Sequence, residues 1–298
     1  MSKSSEPSIS VKVDVTNPGQ FFACCGLLEL ADRLWPGAEG WFDPVQRVFN
    51  IGGCKQLASD ATSQFWKAFA GCPLKNTMSE GQVARRAELS ALPKKELLAR
   101  RLEDEKKALD RRWREAPILF GVPFGVRVDW FLDGFAGGSA FKTWAGQQSV
   151  LEIALAMKQP IETKAFRELS SENWLWFRQG GLGLPFNFDA ALGQQGSGLD
   201  IGFSLDPLKS LNANIAMLVS PLTELLAFVG LQRFRPQPQA KRNRYRYTSW
   251  FQPLRPEVAA PICCGSMSIP RQAVHEFRLL YRTKYLKSFL PATPVGVS

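Results

Sequence analysis

Apolar and polar positions alternate at the start of this chain. Ile9, Val11, Val13 and Val15 are apolar, whereas Ser10, Lys12 and Asp14 are polar. A period of two predicts a strand with one buried face. Asn17-Pro18-Gly19 then supplies turn chemistry, and Gln20–Leu34 reads as a helix of small and apolar residues that stops at Trp35-Pro36-Gly37. A second strand is expected across Trp41–Ile51 and a helix across Leu57–Ala70. Further strands are expected at Ile118–Phe120 and Val126–Leu132, with a helix from about Trp144 to Lys158. A Gly-rich stretch with short extended pieces, Leu184–Phe188 and Ile201–Leu205, precedes an apolar helix over Thr223–Phe234. Pro236–Arg244 is expected to be a loop, Tyr245–Phe251 a strand, and 271–288 a basic closing element. Strands and helices alternate without a strict βαβ rhythm, which predicts an α+β fold. Its sheet is expected to be mixed or antiparallel, and ferredoxin-like elements are compatible with it. We read residues 9–298 as one large domain, with a subdivision at 9–120 and 121–298, behind a disordered lead at 1–8.

One internal echo stands out. Phe22-Ala23-Cys24-Cys25-Gly26-Leu27 resembles Leu226-Ala227-Phe228-Val229-Gly230-Leu231, and both segments belong to apolar helices that end at a Pro. Short Ala/Gly/Leu helices recur by chance, so the echo alone does not argue for duplication.

Residues 83–115 differ in kind, with eleven basic and seven acidic residues and no Gly. Leu98, Leu102, Leu109 and Trp113 share one helical face, and Glu96/Arg100, Glu103/Lys107 and Asp110/Arg114 sit at i, i+4 with the acid first. A long exposed helix around 93–115, leaning on the domain, is a better expectation than a dedicated nucleic-acid contact.

The net charge is +10, and all of it lies near the carboxy terminus. Between Arg233 and Lys287 stand twelve Lys or Arg, opposed only by Glu257 and Glu276, so the remaining residues sum to zero. Phe234, Tyr245, Tyr247, Trp250, Phe251, Phe277, Tyr281 and Tyr285 interleave with these cations. Positive charge mixed with flat rings suits a nucleic acid. No run approaches the ~20 apolar residues that cross a bilayer, and MSKSSEPSIS lacks the apolar segment of a secretory signal. A cytosolic, non-membrane address follows as the expectation.

Catalytic motifs are sparse. His275 is the one histidine, which removes histidine-pair nuclease chemistry and H-E-x-x-H sites. A Ser–His or Cys–His pair stays open, but no G-x-S-x-G elbow supports it, and a surface or phosphate-adjacent histidine is the favoured expectation. The six cysteines form no C-x-x-C and read as small buried hydrophobes, so no metal site is expected. Gly137-Gly138-Ser139-Ala140-Phe141-Lys142-Thr143 fails as a phosphate loop, because Phe141 stands where a Walker A loop needs Gly. Asp189, Asp200 and Asp206 have no spacing that demands magnesium. Neither catalysis nor a cofactor is expected.

Two constellations carry the binding expectation. As a strand, Arg242, Arg244 and Arg246 would face one side, and Asn243, Tyr245 and Tyr247 the other. The alternative is a solvated edge strand whose charges deter aggregation. After the Gly-rich loop, Lys142 suits a phosphate, Trp144 a base to stack on, and Gln147 or Gln148 a base edge. Arg233, Arg235, Lys241, Arg278, Arg282 and Lys284 complete the candidate nucleic-acid-binding set.

At these residues the chain resembles a family encoded within type I-U (also called I-G) CRISPR loci. Asn17-Pro18-Gly19-Gln20-Phe21-Phe22-Ala23-Cys24-Cys25-Gly26-Leu27-Leu28-Glu29-Leu30 is similar to its amino-terminal pattern, and Gly137-Gly138-Ser139 with Lys142-Thr143-Trp144-Ala145-Gly146-Gln147 to its middle. Leu226-Ala227-Phe228-Val229-Gly230-Leu231-Gln232-Arg233-Phe234-Arg235-Pro236, with Tyr247-Thr248-Ser249-Trp250, resembles its carboxy-terminal pattern. The resemblance implies a non-enzymatic subunit of a Cascade-like complex, whose partners would be crRNA, target DNA, other Cascade subunits and a helicase-nuclease. A large-subunit role would touch the PAM duplex and the R-loop, with guide pairing reading the target. At 298 residues the chain is short for that role. The alternatives are a repeat-associated (RAMP) subunit of ferredoxin-like build that holds or processes crRNA, a metal-independent ribonuclease using His275, Tyr281 or Lys284, and a generic basic RNA-binding or ribosome-associated protein.

Overall fold

The computed structural model describes residues 6–53, 60–129, 141, 149–180, 185–191, 218–283 and 286–296. It is an α+β fold in which small antiparallel sheets pack against helices. Strand β1 (Ile9–Lys12) uses the first alternating positions, and helix α1 spans Pro18–Leu34. Asn17 caps α1, its Oδ1 accepting from the N–H of Gly19 at 3.0 Å. Every residue from Pro18 to Ala31 is buried, so α1 is a central helix rather than an amphipathic one. The single strand expected over Trp41–Ile51 is instead a hairpin, β2 (Glu39–Asp43) and β3 (Val48–Gly52). Asp43 Oδ1 accepts from the N–H groups of Val45 and Gln46, and Arg47 takes φ 55 to close the turn. The sheet order is β1–β3–β2, antiparallel throughout. With α1 joining β1 to β2, this is the arrangement of the first four elements of a ferredoxin-like unit.

Helix α2 (Ala61–Gly71) and strand β4 (Leu74–Asn76) lead into the charged region. There the expected long helix is divided among α3 (Glu80–Ala91), α4 (Lys94–Ala99) and α5 (Glu103–Glu115). Pro93 precedes α4, and Arg101 at φ 57 separates α4 from α5. Of the three expected i, i+4 pairs only Glu96–Arg100 forms, at 3.2 Å. Asp110 instead serves Arg86 of α3 and Lys106, because the chain folds back and brings α3 alongside. Leu98 is exposed rather than part of an apolar stripe. Strands β5 (Ile118–Phe120) and β6 (Val126–Val128) complete a sheet in the order β4–β5–β6. Helices α6 (Val150–Lys158) and α7 (Lys164–Arg167) follow, each capped by the hydroxyl that precedes it, Ser149 or Thr163.

The second half is built around another buried helix. Helix α8 (Pro221–Arg233), buried from Pro221 to Leu231, is followed by the short β7 (Gln237–Pro238) and by β8 (Arg244–Trp250). Helix α9 (Pro256–Cys263) comes next, then β9 (Gln272–Thr283), β10 (Leu286–Phe289) and β11 (Thr293–Val295). The sheet runs β10–β9–β8–β7, with β11 also on β9. The closing basic element is thus a hairpin plus a third strand.

Helices α1 and α8 cross at the two glycines of the sequence echo. A Cβ on Gly26 would overlap the carbonyl of Leu226, and one on Gly230 would overlap the carbonyl of Phe22. The contacts are reciprocal, each glycine lying four residues after the carbonyl that its partner touches. Only a hydrogen side chain lets the backbones approach this closely. Around the crossing, Phe21 stacks on Tyr247 at 4.2 Å, and Phe42 meets Trp250 edge-on at 5.1 Å. Tyr247 donates its hydroxyl to Val15 O at 2.6 Å, and Trp250 donates Nε1 to Gly40 O at 2.7 Å. These bonds satisfy the polar tips of two fully buried rings. They also tie β8 to the amino-terminal sheet.

Candidate nucleic-acid interface

The site is built on the β8–β9 ladder. Its register sets Arg244 opposite Arg278, Tyr245 opposite Phe277, Arg246 opposite Glu276 and Tyr247 opposite His275. Alternation buries Tyr247 and Phe277 and packs Tyr245 against the core, while Arg244, Arg246 and Arg278 occupy the opposite face. Arg244 Nη1 reaches Glu276 Oε1 at 2.7 Å and Arg246 Nε reaches Oε2 at 2.9 Å, with about two fifths of each arginine side chain exposed. The hydrogen bonds from Arg244 and then Arg246 hold the Glu276 carboxyl below its usual range. Two guanidiniums thus share one carboxylate, and Arg244 stands opposite Arg278 in the ladder, a like-charge pairing that ordinarily costs stability.

The triplet expected on one strand face is only partly realised. β8 begins at Arg244, and Arg242 belongs to the preceding turn, where Asn243 adopts φ 65. Asn accepts this left-handed conformation more readily than most residues, so the turn forms one position later than the alternation implies. Lys241 and Arg242 are exposed there, and among the described residues neither lies within ion-pair distance of a carboxylate. Nor is β8 a bare edge, since β7 pairs with it at Tyr245 and Arg246.

Arg233 is tied to α1. Its Nε lies 2.9 Å from Oε2 of Glu29 on α1, and Arg33 binds the same carboxylate at 3.3 Å. Arg233 therefore clamps the helix crossing and does not join the ladder. Arg235 is exposed just beyond α8. The side chains of Tyr281 and Arg282 lie outside the described residues, as do Lys142, Trp144, Gln147, Gln148 and Lys284. Phe141, which precedes Lys142 in the chain, is described, and it packs on Tyr245 at 4.8 Å and Phe289 at 6.2 Å. That contact brings the chain beside the second constellation onto the core side of the first.

His275 departs most from expectation. It is buried rather than superficial, because its position on β9 alternates inward with Phe277. Its Nε2 lies 3.1 Å from Ser249 Oγ, its ring stacks on Tyr247 at 5.2 Å, and its Nδ1 has no hydrogen-bond partner. Burial lowers its pKa to about 4. The Ser249–His275 pair is therefore enclosed, with Ser249 fully buried as well.

Asp189 belongs to a buried network. Asn17 Nδ2 donates to Asp189 Oδ1 at 2.7 Å, while Asn17 Oδ1 accepts from the N–H of Ala190 at 3.0 Å. Fully buried Glu224 accepts from the N–H groups of Asp189 at 2.8 Å and Phe188 at 3.1 Å. Burial raises its pKa to about 8 despite those bonds. The network anchors residues 187–190 to the starts of α1 and α8. Sequence reading missed it, although Asn-Pro-Gly at a helix start marked one end. Asp200 and Asp206 lie outside the described residues. Among the described residues no group of three His, Cys, Asp or Glu could hold a metal ion, and no helix is long and apolar enough to cross a membrane. Cys24, Cys25, Cys72 and Cys263 are buried and Cys264 is partly so, with burial pushing the Cys72 thiol up to about 11.

No family model, no curated protein and no solved structure matches this chain.

Proposed function

We propose that this chain is a non-catalytic nucleic-acid-binding subunit of a crRNA-guided, type I-U/I-G CRISPR surveillance complex. The observation that carries the reading is the solvent face of β8–β9, where Arg244 and Arg246 share the Glu276 carboxylate and Arg278 stands opposite Arg244. A phosphate seated there would relieve the Arg244–Arg278 opposition and release counterions. The family resemblance supplies the system: guide RNA or target DNA as ligand, other Cascade subunits as neighbours, and a helicase-nuclease as the recruited enzyme. A ribonuclease relying on His275 is disfavoured, since a buried imidazole with a lowered pKa cannot reach an external phosphate.

Within this reading, the β1–β3–β2 order around α1 favours the crRNA-holding RAMP role over the large-subunit role. The test uses the full chain, purified with and without a repeat–spacer transcript, and fluorescence anisotropy with labelled repeat RNA and with duplex DNA. Changing Arg244, Arg246 and Arg278 together to Ala is expected to weaken binding on the order of tenfold and to flatten its salt dependence by about two charges. Unchanged affinity overturns the interface. Co-purified guide RNA supports the RAMP role, and preference for duplex DNA supports the large-subunit role.

A further inference from the structure

The cations of the α3–α5 region fall into two groups. Those between the helices are neutralised: Arg85 is bonded to Glu105 at 2.8 Å and to Glu88 at 2.9 Å, and Arg86 and Lys106 share Asp110. Arg111 and Arg112 near the end of α5 are exposed, and among the described residues neither lies within ion-pair distance of a carboxylate, although this region is rich in acids. They line a cleft of about 600 Å³ between α5, Thr77 and strand β6, which adds Arg127. Arg127 is 63% exposed and holds Asp129 only at 3.3 Å. Among the described residues, Glu115 is the one carboxylate in this lining. A second cleft of about 500 Å³ shares Ala108 and Arg112 in its lining and runs to Ser79 at the start of α3, with the Arg85–Glu105 pair along it.

Among the described residues neither lining contains an aromatic ring. Nearby Trp113 is covered by the Arg86 guanidinium at 4.6 Å, and its N–H points to Glu152 at 3.4 Å. Such a groove offers positive charge without a stacking platform, the chemistry of backbone contact rather than base readout. We propose that it is a second, sequence-independent contact for the phosphodiester backbone, separate from the β8–β9 face. This inference rests on the nucleic-acid reading above. A weaker explanation, that Arg112 merely complements the carboxy-terminal end of α5, does not account for Arg127 arriving from another element.

The test compares the full chain with the Arg111→Gln/Arg112→Gln/Arg127→Gln variant, using labelled oligo-dT and mixed-sequence RNA across a salt series. A photo-crosslinker at exposed Ala108 gives an independent readout. We expect about tenfold weaker binding to every sequence alike, a salt slope shallower by about two, and crosslinks to both oligonucleotides. Arg→Lys replacements, which keep the charge, should retain most of the affinity. Wild-type affinity and slope in the Gln variant, or no crosslink while the native chain binds, overturns this proposal and leaves the β8–β9 reading intact. Loss confined to one sequence overturns it as well. A native chain that binds polyglutamate but no oligonucleotide overturns both readings.

Discussion

The two halves of this molecule each centre on a buried helix and differ in charge. In the first, a strand leads into buried α1 and then into the β2–β3 hairpin. In the second, buried α8 is followed by β7 and β8, and α9 separates β8 from β9. Equivalent side chains reach back from each helix to the backbone before it: Gln20 accepts from the N–H of Asp14 at 2.8 Å, and Glu224 accepts from those of Phe188 and Asp189. One position in this pair is a neutral amide and the other a titratable acid. Of the sheets beside these two helices, it is the one after α8 whose strands carry the paired arginines. The shared frame is thus specified by shape, through reciprocal glycines, while charge is free to diverge on it.

The largest effect should come from breaking the frame. Gly26→Ala or Gly230→Ala forces a methyl into the opposing backbone and is expected to cost about 3 kcal/mol or more, with the two sites behaving alike. Urea denaturation checks this; a loss at one site only would end the equivalence of the halves.

Titration should separate the halves next. The fold keeps the Glu224 proton up to about pH 8, whereas the unfolded chain gives it up near 4.5. Its contribution is therefore lost as pH rises through that window. Native stability should fall as pH rises from about 4.5 to 8, most clearly above 6.5 where His275 no longer opposes it, and Glu224→Gln, which makes the second half resemble the first, should flatten that slope. A slope unchanged in the variant places the titration elsewhere. His275 acts in the opposite sense: unfolded it binds a proton below about 6.5, folded only below about 4, so stability is lost on acidification between those values. Denaturation midpoints of His275→Gln should drop less than native ones between pH 7 and 4.5. Equal drops would mean that the ring is not enclosed in solution.

The smallest effect concerns the ladder itself. Glu276→Gln frees Arg244 and Arg246, and is expected to cost under about 1 kcal/mol because the pairs are partly exposed. Nucleic-acid affinity should rise about twofold to threefold. A fall in affinity would mean that the carboxylate holds the arginines in their binding geometry.

Much of the frame is legible in local pattern. Alternation marks β1, the run of small and apolar residues marks α1, and the paired Gly segments foreshadow the crossing. Pattern fails where a turn is hidden or partners are distant. Asp43 makes a hairpin out of one apparent strand, and Asn243 shifts the start of β8 past Arg242. The sharing of Glu276 depends on a register between positions some thirty residues apart, and the burial of His275 depends on which face of β9 meets α1. No window along the chain contains that information. The charged stretch misleads for the same reason, since Asp110 chooses Arg86 on another helix over its own i+4 neighbour.

The reciprocal glycine seat has a consequence for synthesis. Helix α1 leaves the ribosome nearly two hundred residues before α8, so an apolar rod must wait without its mate while the intervening chain is made. Asn17 waits as well, for Ala190. Chains halted before residue 221 should therefore be sticky and short-lived, and the amino-terminal half should acquire its final form only when the second helix arrives to lie across it.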